Sequence, residues 1–314
     1  MNEKRVWSSR LVVLFGGVSA RVLNKSASVL SVHSYDLNMP SDESDLWKRI
    51  VETPVVEKEM IEKGFFLSSE SFRRITSSFG AHMRLRAPEY LSKDFWSRQP
   101  PSLVERGYYV LRVGMGKFAL LDERVFPRPY LSLETSSASD LNPKVPRSFK
   151  QLRKAFGENA QENASLEQMR FLGIFDQMIT DLFGTNEYFV GPRGNRSSSF
   201  DIFVEKKNNE KTRLCTYQGQ EELDYSLWTE DEVLLFEAKQ TQRSASFLDI
   251  GWHKLVYSAS RFRDYEILLL PTYFLRRRNE IFMFVFAHVQ FYESGIVIND
   301  SRAMKPKKIY RVRL

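Results

Sequence analysis

The sequence contains few residues that could crosslink the chain or anchor it in a membrane. Of its 314 residues, only Cys215 is a cysteine and only four are histidines. A single cysteine excludes a disulfide within the chain and a cysteine-rich zinc site, and the histidines lack zinc-like spacing. The longest apolar stretches, such as residues 281–289, are much shorter than a membrane-spanning helix. We therefore expect a cytoplasmic protein that makes no membrane contact.

The composition favours a globular protein, and the charge distribution favours a polyanionic partner. Hydrophobic residues make up 42% of the chain and charged residues 27%, which is typical of a chain that buries a core. The net charge of +7 is uneven, because residues 241–314 carry 13 Lys and Arg against 6 Asp and Glu, whereas residues 1–240 carry 33 of each. A local basic surface favours a polyanion such as nucleic acid, although a solubilising surface accounts for the charge equally well.

Changes in periodicity and in turn residues divide the chain into four segments. Helical patterns followed by two short strands at 108–112 and 117–121 resemble the order of a winged-helix domain, which other small α+β domains share. A stretch rich in Ser, Asn, Pro and Gln then indicates a linker. The segments are a poorly defined N-terminus (1–45), a helical, winged-helix-like DNA-recognition domain (46–135), the linker (136–160) and a second domain (161–314).

The second domain has the element order of an α/β fold. Apolar residues at helical spacing predict an amphipathic helix at 165–183, and another helix is expected at 249–262. A polar loop rich in Gly, Ser and Arg is predicted at 191–199. Strands are expected near 200–205, 212–217, 222–228, 232–239, 265–270, 281–290 and 295–298. This order predicts a mixed sheet flanked by helices.

Two neighbouring strands in residues 221–240 carry a group of charged residues where an apolar run ends. Asp224 lies near the start of one predicted strand, and Glu237 and Lys239 lie at the end of the next. Because residues two apart on a strand point to the same face, a carboxylate and an ammonium stand side by side there. A simple ion pair between Glu237 and Lys239 is the structural alternative to a functional site.

The chemistry of these residues is that of a metal-dependent hydrolytic site. Two converging carboxylates, Asp224 and Glu237, can hold a hard divalent cation such as Mg²⁺, and the Ala238 carbonyl can add a third oxygen. Such an ion polarises a phosphate and lowers the pKa of a bound water, while Lys239 can orient that water. These are the groups required to hydrolyse a phosphodiester.

The same residues resemble the motif of the PD-(D/E)XK nuclease superfamily, the fold of many restriction endonucleases. Asp224 matches the first acidic position and Glu237-Ala238-Lys239 matches the (D/E)XK element, although no proline precedes Asp224. The αβββαβ core of the family corresponds to residues 160–290. The resemblance implies a restriction-endonuclease-like mixed sheet, Mg²⁺ as the cofactor with Mn²⁺ as a substitute, and a product with a 5′-phosphate.

The resemblance also implies supporting residues around this motif. In many members a glutamate from the helix before the strands completes the metal site, and Glu167 corresponds to it; a favourable acid in a helix first turn is the alternative. The helix after the lysine strand often projects a polar residue toward the site, and Lys254 occupies that place. Glu222, two residues before Asp224, and Gln240, which follows Lys239, are candidates for outer positions of the site.

Two groups of arginines are candidate DNA contacts. Arg193 and Arg196 lie in the predicted polar loop, and Arg276, Arg277 and Arg278 form a run in the basic segment. Guanidinium groups bind the phosphate backbone, although charge runs are usually solvated surfaces. We expect double-stranded DNA as the partner.

The resulting prediction is a metal-dependent DNA endonuclease, most similar to a type II restriction enzyme. Residues 107–125 resemble an N-terminal segment of such enzymes, which implies a homodimer acting on a palindrome and a DNA methyltransferase encoded nearby but not bound. One alternative is a structure-specific nuclease of repair, recombination or a mobile element. Another is a DNA-binding regulator with a decayed nuclease fold.

Overall fold

The fold is known for most of the chain from residue 91 onward and for shorter segments before it. A computed structural model describes residues 47–48, 50–52, 65–77, 91–145, 162–241 and 247–314. All of these belong to one compact unit, Pro40–Leu314. The predicted N-terminal segment 1–45 and most of the predicted linker lie outside the described residues.

The described residues form a mixed α/β structure in which strands predominate. The strands are β1 (Phe65–Ser68), β2 (Tyr108–Gly114), β3 (Lys117–Asp122), β4 (Ser139–Leu141), β5 (Phe189–Val190), β6 (Gly194–Glu205), β7 (Lys211–Leu223), β8 (Tyr225–Trp228), β9 (Glu232–Thr241), β10 (Leu268–Arg277), β11 (Glu280–Phe286), β12 (Phe291–Tyr292), β13 (Gly295–Val297) and β14 (Pro306–Arg313). The helices are α1 (Ser69–Ser77), α2 (Pro101–Val104), α3 (Glu162–Phe171), α4 (Ile174–Phe183) and α5 (Trp252–Val256), with 3₁₀ helices at Trp96–Arg98 and Tyr257–Phe262.

A seven-stranded mixed sheet positions the residues of interest. Its order is β4-β14-β11-β10-β9-β8-β5, with β9 and β10 parallel and β8 antiparallel to β9. The parallel pair requires a crossover, which α5 and the following 3₁₀ helix supply. Strand β9 is covered on both faces: Leu234 and Phe236 pack with α3 and α4, whereas Val233 and Leu235 pack toward the 3₁₀ helix of the crossover. Burial on both faces explains its uninterrupted apolar run.

Two smaller sheets complete the described structure. One has the order β12-β13-β6-β7 and contains a long antiparallel ribbon formed by β6 and β7. The other has the order β1-β3-β2 and carries the predicted hairpin, with α1 next to β1. Strand β2 is buried on both sides, because Val110 packs with β1 and α1 residues while Tyr109 and Leu111 join the main core.

Three local predictions were wrong. The helix expected at 165–183 is two helices, because Gly173 adopts the left-handed conformation (φ +65°) and interrupts the helical hydrogen bonds. The polar loop expected at 191–199 is strand β6 from Gly194 onward, because pairing with β7 stabilises a segment that has no apolar pattern. The helix expected at 249–262 is the short α5 followed by a 3₁₀ helix.

From residue 265 onward, the observed strand boundaries also differ from the predicted ones. Strand β10 continues to Arg277, β11 ends at Phe286, and β14 had not been expected. Within the described residues, no helix is both long enough and apolar enough to cross a bilayer.

Candidate active site

Asp224 joins two strands and contacts the end of β9. It lies between β7 and β8, and its backbone N–H donates to the Phe236 carbonyl at 3.2 Å, which continues the β8–β9 ladder. Its Oδ2 accepts a hydrogen bond of 2.6 Å from the Ala238 N–H. The antiparallel β8–β9 pairing therefore places the Asp224 carboxylate beside the predicted Glu237-Ala238-Lys239 element.

Glu237 and Lys239 form a largely buried ion pair on one face of β9. The Lys239 Nζ lies 2.7 Å from Glu237 Oε1 and donates to the Ala238 carbonyl at 2.9 Å. The Glu237 side chain is only 4% exposed, yet its Oε1 has no hydrogen bond of acceptable geometry among the described residues. The Lys239 ammonium therefore offsets the charge of the Glu237 carboxylate but leaves part of its capacity to accept hydrogen bonds unused.

The charges at the end of β9 shift one another's ionisation. Burial, followed by the nearby Glu237 charge, raises the pKa of Asp224 to about 7. Burial alone would lower the pKa of Lys239, but the charges of Glu237, Glu162 and Asp224 outweigh burial and raise it. Lys239 is therefore an ammonium near neutral pH, whereas Asp224 is poised between its protonated and ionised forms.

Glu162 and Lys254 bring further charges to this site. Glu162 opens α3; its Oε2 lies 3.8 Å from Lys239 Nζ, and its carboxylate accepts from the Gln240 backbone N–H. Burial raises the pKa of Glu162. Lys254, on α5, places Nζ 3.7 Å from Glu237 Oε1. The prediction missed Glu162 because it began the helix at residue 165, and an extension of that helix by one turn would have found it.

Glu167 lies in a different set of contacts. Its carboxylate pairs with Arg170 at 3.1 Å and with Arg193 at 3.2 Å, and it accepts a hydrogen bond from the Tyr225 hydroxyl at 3.3 Å. Among the described contacts, none joins Glu167 to Asp224 or Glu237. The structure thus brings Glu162, rather than Glu167, to the lysine of the predicted motif.

A small cavity opens beside the charged group. Its volume is about 130 Å³, and Glu222 and Lys254 are among its lining residues, together with Asp94, Arg112, Asn195, Tyr217, Gln220, Glu221, His253 and Tyr257. Glu222 is exposed, while the side chain of Gln240 makes no hydrogen bond within the described structure. The cavity gives a polar ligand access to the side of the site that Lys254 borders.

The predicted DNA-contacting arginines are in dissimilar environments. Arg276 is buried and donates to Ser165 Oγ at 2.8 Å, which ties β10 to α3. Arg277 stacks over Phe282, and Arg278 lies in the turn before β11 with φ +50°. Arg193 contacts Glu167, whereas Arg196 is exposed on β6. Arg196 is the one of these five whose environment most resembles that of a surface phosphate contact.

Comparisons with protein-family models, with curated proteins and with solved structures found no match to this chain. The site must therefore be interpreted from its own geometry.

The carboxylates fit a divalent cation with an incomplete protein ligand set. In the part of the chain that the structure describes, no three or more His, Cys, Asp or Glu side chains surround a common point as a full metal shell. Mg²⁺ does not require one, because it commonly binds one or two carboxylates and completes its shell with water and phosphate oxygens. Asp224 and Glu237 are buried, adjacent and incompletely hydrogen-bonded, which is the donor chemistry that such an ion prefers.

Proposed function

We propose that this protein is a metal-dependent endonuclease that hydrolyses phosphodiester bonds in double-stranded DNA. The observation that carries the proposal is the meeting of Asp224, Glu237 and Lys239 on two adjacent antiparallel strands, with both carboxylates buried. Burying two acids side by side is unfavourable unless cations compensate them, and the ammonium groups of Lys239 and Lys254 face three carboxylates here, because Glu162 also lies near Lys239.

The order of elements supports a restriction-endonuclease-like core. Helices α3 and α4 precede β6, β7, β8 and β9, and the helical crossover leads to β10 in parallel with β9. The acids lie where β8 and β9 meet, as expected for an αβββαβ nuclease core. We propose this fold on the basis of the order and the site together.

Each residue has a separate task in the proposed reaction. Asp224 and Glu237, with the Ala238 carbonyl, would hold Mg²⁺ or Mn²⁺, and the ion when bound would supply Lewis acidity toward the phosphate. Lys239 lies 2.7 Å from Glu237, where its ammonium would orient the attacking water and stabilise charge on the phosphate. Glu162, at 3.8 Å, keeps Lys239 protonated and restricts its position.

Plasmid cleavage by matched variants tests the proposal. With Mg²⁺ present, we expect Asp224→Asn, Glu237→Gln and Lys239→Met each to lower the cleavage rate about 100-fold or more. Asp231→Asn is the matched control, because Asp231 is an exposed acid at the opposite end of the β8–β9 hairpin. Wild-type rates in the three site variants would refute the site, and cleavage that persists in EDTA would refute the metal requirement.

We further propose that the nuclease is a type II restriction enzyme, with a structure-specific nuclease as the alternative. A type II restriction enzyme acting as a homodimer would give discrete fragments from plasmid DNA, and a methyltransferase gene would lie nearby. A repair, recombination or mobile-element enzyme would cut at branches or ends instead. Digestion of linear, branched and flapped substrates of the same sequence separates these two outcomes.

A non-catalytic DNA-binding protein is the second candidate. The Glu237–Lys239 ion pair favours it, because an ammonium already compensates the more buried carboxylate. Calorimetric titration with Mg²⁺ and Mn²⁺ distinguishes the two functions: binding that Asp224→Asn abolishes supports the nuclease, and undetectable binding with intact DNA affinity supports the regulator.

A further inference from the structure

The β6–β7 ribbon presents one face composed mainly of amide and hydroxyl side chains, with the exposed carboxylate of Glu222 opposite Asn195 at the end nearest Asp224. Cross-strand pairs share a face, and the register pairs Ser197 with Gln220 and Ser199 with Gln218. Asn195 lies on the same face, two residues before Ser197. All five side chains are exposed. We call this set the ribbon face.

The hydrogen-bonding groups of the ribbon face are unused. Within the described residues, none of its five side chains donates or accepts a hydrogen bond. The opposite face of the same ribbon packs against the protein around Glu221, which accepts from Ser198 and pairs with Arg261, although Arg196 on this face is exposed. One face of the ribbon therefore packs against the rest of the protein, while the other has hydrogen-bond donors and acceptors that a ligand can use.

The ribbon face continues into the candidate active site. Strand β7 ends at Leu223, and the next residue is Asp224. Asn195 and Gln220 border the small cavity that Lys254 also lines, and Lys254 lies 3.7 Å from Glu237. A ligand that spans this face would thus reach the cavity that Lys254 borders, beside the buried Glu237.

The shape and chemistry of this face match the major groove of double-stranded DNA. A two-stranded ribbon fits the major groove, where Asn and Gln amides make paired hydrogen bonds to adenine and Ser hydroxyls bond to any base. Arg196 alternates with the ribbon-face residues on β6 and lies across from Glu221, so its exposed guanidinium would reach a phosphate from the edge of the ribbon rather than from the ribbon face. Lys117 is exposed beside Gln218 in the groove between β3 and β7.

We propose that the ribbon face reads base edges in the DNA on which the candidate site acts, with Asn195, Gln218 and Gln220 as specificity-determining residues. This inference rests on the proposed function for its ligand, but it concerns sequence preference rather than cleavage. Arg196 positions the ribbon on the backbone and carries no sequence information. The contacts are direct hydrogen bonds to bases, predominantly adenines.

Selection from a randomised duplex library tests the inference without requiring cleavage. The library is bound by full-length wild-type protein in Ca²⁺, and the bound DNA is sequenced. We expect a preferred motif that contains adenine, and we expect Asn195→Ala, Gln218→Ala and Gln220→Ala each to relax it at separate positions by about tenfold. Arg196→Ala should weaken binding to all sequences about equally.

A matched substitution and a stability measurement make the outcome decisive. Gln290→Ala removes the same side chain from an exposed site that does not lie on the ribbon, and its motif should equal that of the wild type. Thermal unfolding should be unchanged in the ribbon variants, since exposed unbonded side chains contribute little to stability. A motif unchanged in all three variants, wild-type binding with no base preference, or no DNA binding would overturn the inference. Binding with the expected motif but no cleavage in Mg²⁺ would refute only the nuclease function.

Discussion

At the scale of single residues, Asp224 is an acid of the described structure whose pKa its surroundings raise strongly. It is buried, it lies beside Glu237, and its pKa is raised to about 7. In the unfolded chain this carboxyl ionises near pH 3.8. Between about pH 4 and pH 7 the folded state retains a proton that the unfolded state has released, so the free energy of unfolding falls as pH rises through this window.

Asp224→Asn should remove this pH dependence. Without divalent cations, we expect the variant to unfold at a higher temperature than the wild type at pH 8, and we expect the difference to shrink as pH falls from 7 to 4. Scanning calorimetry at several pH values measures it, with Asp231→Asn as the exposed control. A difference between variant and wild type that is the same at every pH would contradict the raised pKa.

His253 gives the free energy of unfolding a second pH dependence, opposite in sign to that of Asp224. Burial lowers its pKa to about 3, and its Nδ1 has no hydrogen-bond partner in the described structure. The unfolded state therefore takes up a proton near pH 6.5, whereas the folded state does not, and stability falls as pH decreases from about 6.5 toward 3.

The substitution His253→Gln should abolish the loss of stability that the wild type shows as pH decreases below about 6.5. For the wild type, this one group should lower the free energy of unfolding by about 1.4 kcal/mol between pH 7.5 and pH 5.5. Urea unfolding at the two pH values gives the difference, and the variant should lack this contribution. Equal slopes in variant and wild type would show that the pKa of His253 is the same in the folded and unfolded states.

At the scale of elements, the long predicted helix divides into α3 and α4, and the first residue of α3 is the acid that reaches Lys239. Gly173 ends the first helix with φ +65°, and the second helix starts at Ile174. Helix α3 can therefore take its own direction, and its first residue, Glu162, reaches Lys239. The predicted helix, which begins at residue 165, does not contain Glu162.

Gly173→Ala should destabilise the protein through backbone strain alone. A methyl group at this position would meet its nearest atoms at 3.4 Å, an ordinary contact, so the left-handed φ is the main cost. We expect a loss of about 1–2 kcal/mol in the free energy of unfolding. Gly173→Asn should cost less, because asparagine tolerates this conformation; equal losses for both variants would point to packing rather than strain.

At the scale of the whole molecule, the predicted recognition segment and the predicted nuclease segment share a core. Tyr109 and Leu111 of β2 pack in the same cluster as Phe200 of β6 and Trp252 of α5. The turn after β2 also meets β7 through the Met115 N–H, which donates to the Gln218 carbonyl at 2.7 Å. A shared core favours joint unfolding of the two segments.

Leu111→Ala should therefore weaken both segments. We expect a loss of about 2–5 kcal/mol, typical of a buried leucine, and hydrogen exchange that accelerates together in β2 and β9. Leu120→Ala is the comparison, since Leu120 is equally buried but packs in the cluster around β1 and α1. Full protection of β9 in Leu111→Ala, with β2 exchanging freely, would show two independent units.

The local parts of the fold could be predicted from the sequence. Strand β9 contains an apolar run, β2 and β3 are two short apolar runs joined by a turn that contains Gly116, and the turn before β9 is marked by Thr229, whose N–H donates to the Glu232 carbonyl. Because Asp224 and Glu237 flank this short hairpin, their proximity follows from pairing between sequence neighbours. The first half of β6, residues 194–199, escaped prediction because these residues are polar and only the partner strand defines them, whereas the strand at 200–205 was predicted.

The sequence by itself determined the acid–acid–lysine group, since strand alternation and one tight turn are local properties. Only the tertiary structure decided which distant residues join it: Glu162 comes from the start of α3, and Lys254 comes from α5 in the crossover to β10. It also decided that Arg276 is buried against Ser165 while Arg196 is exposed. The physical reason is that long-range packing decides whether a charged side chain contacts solvent or another element. The local sequence around that residue does not contain this information.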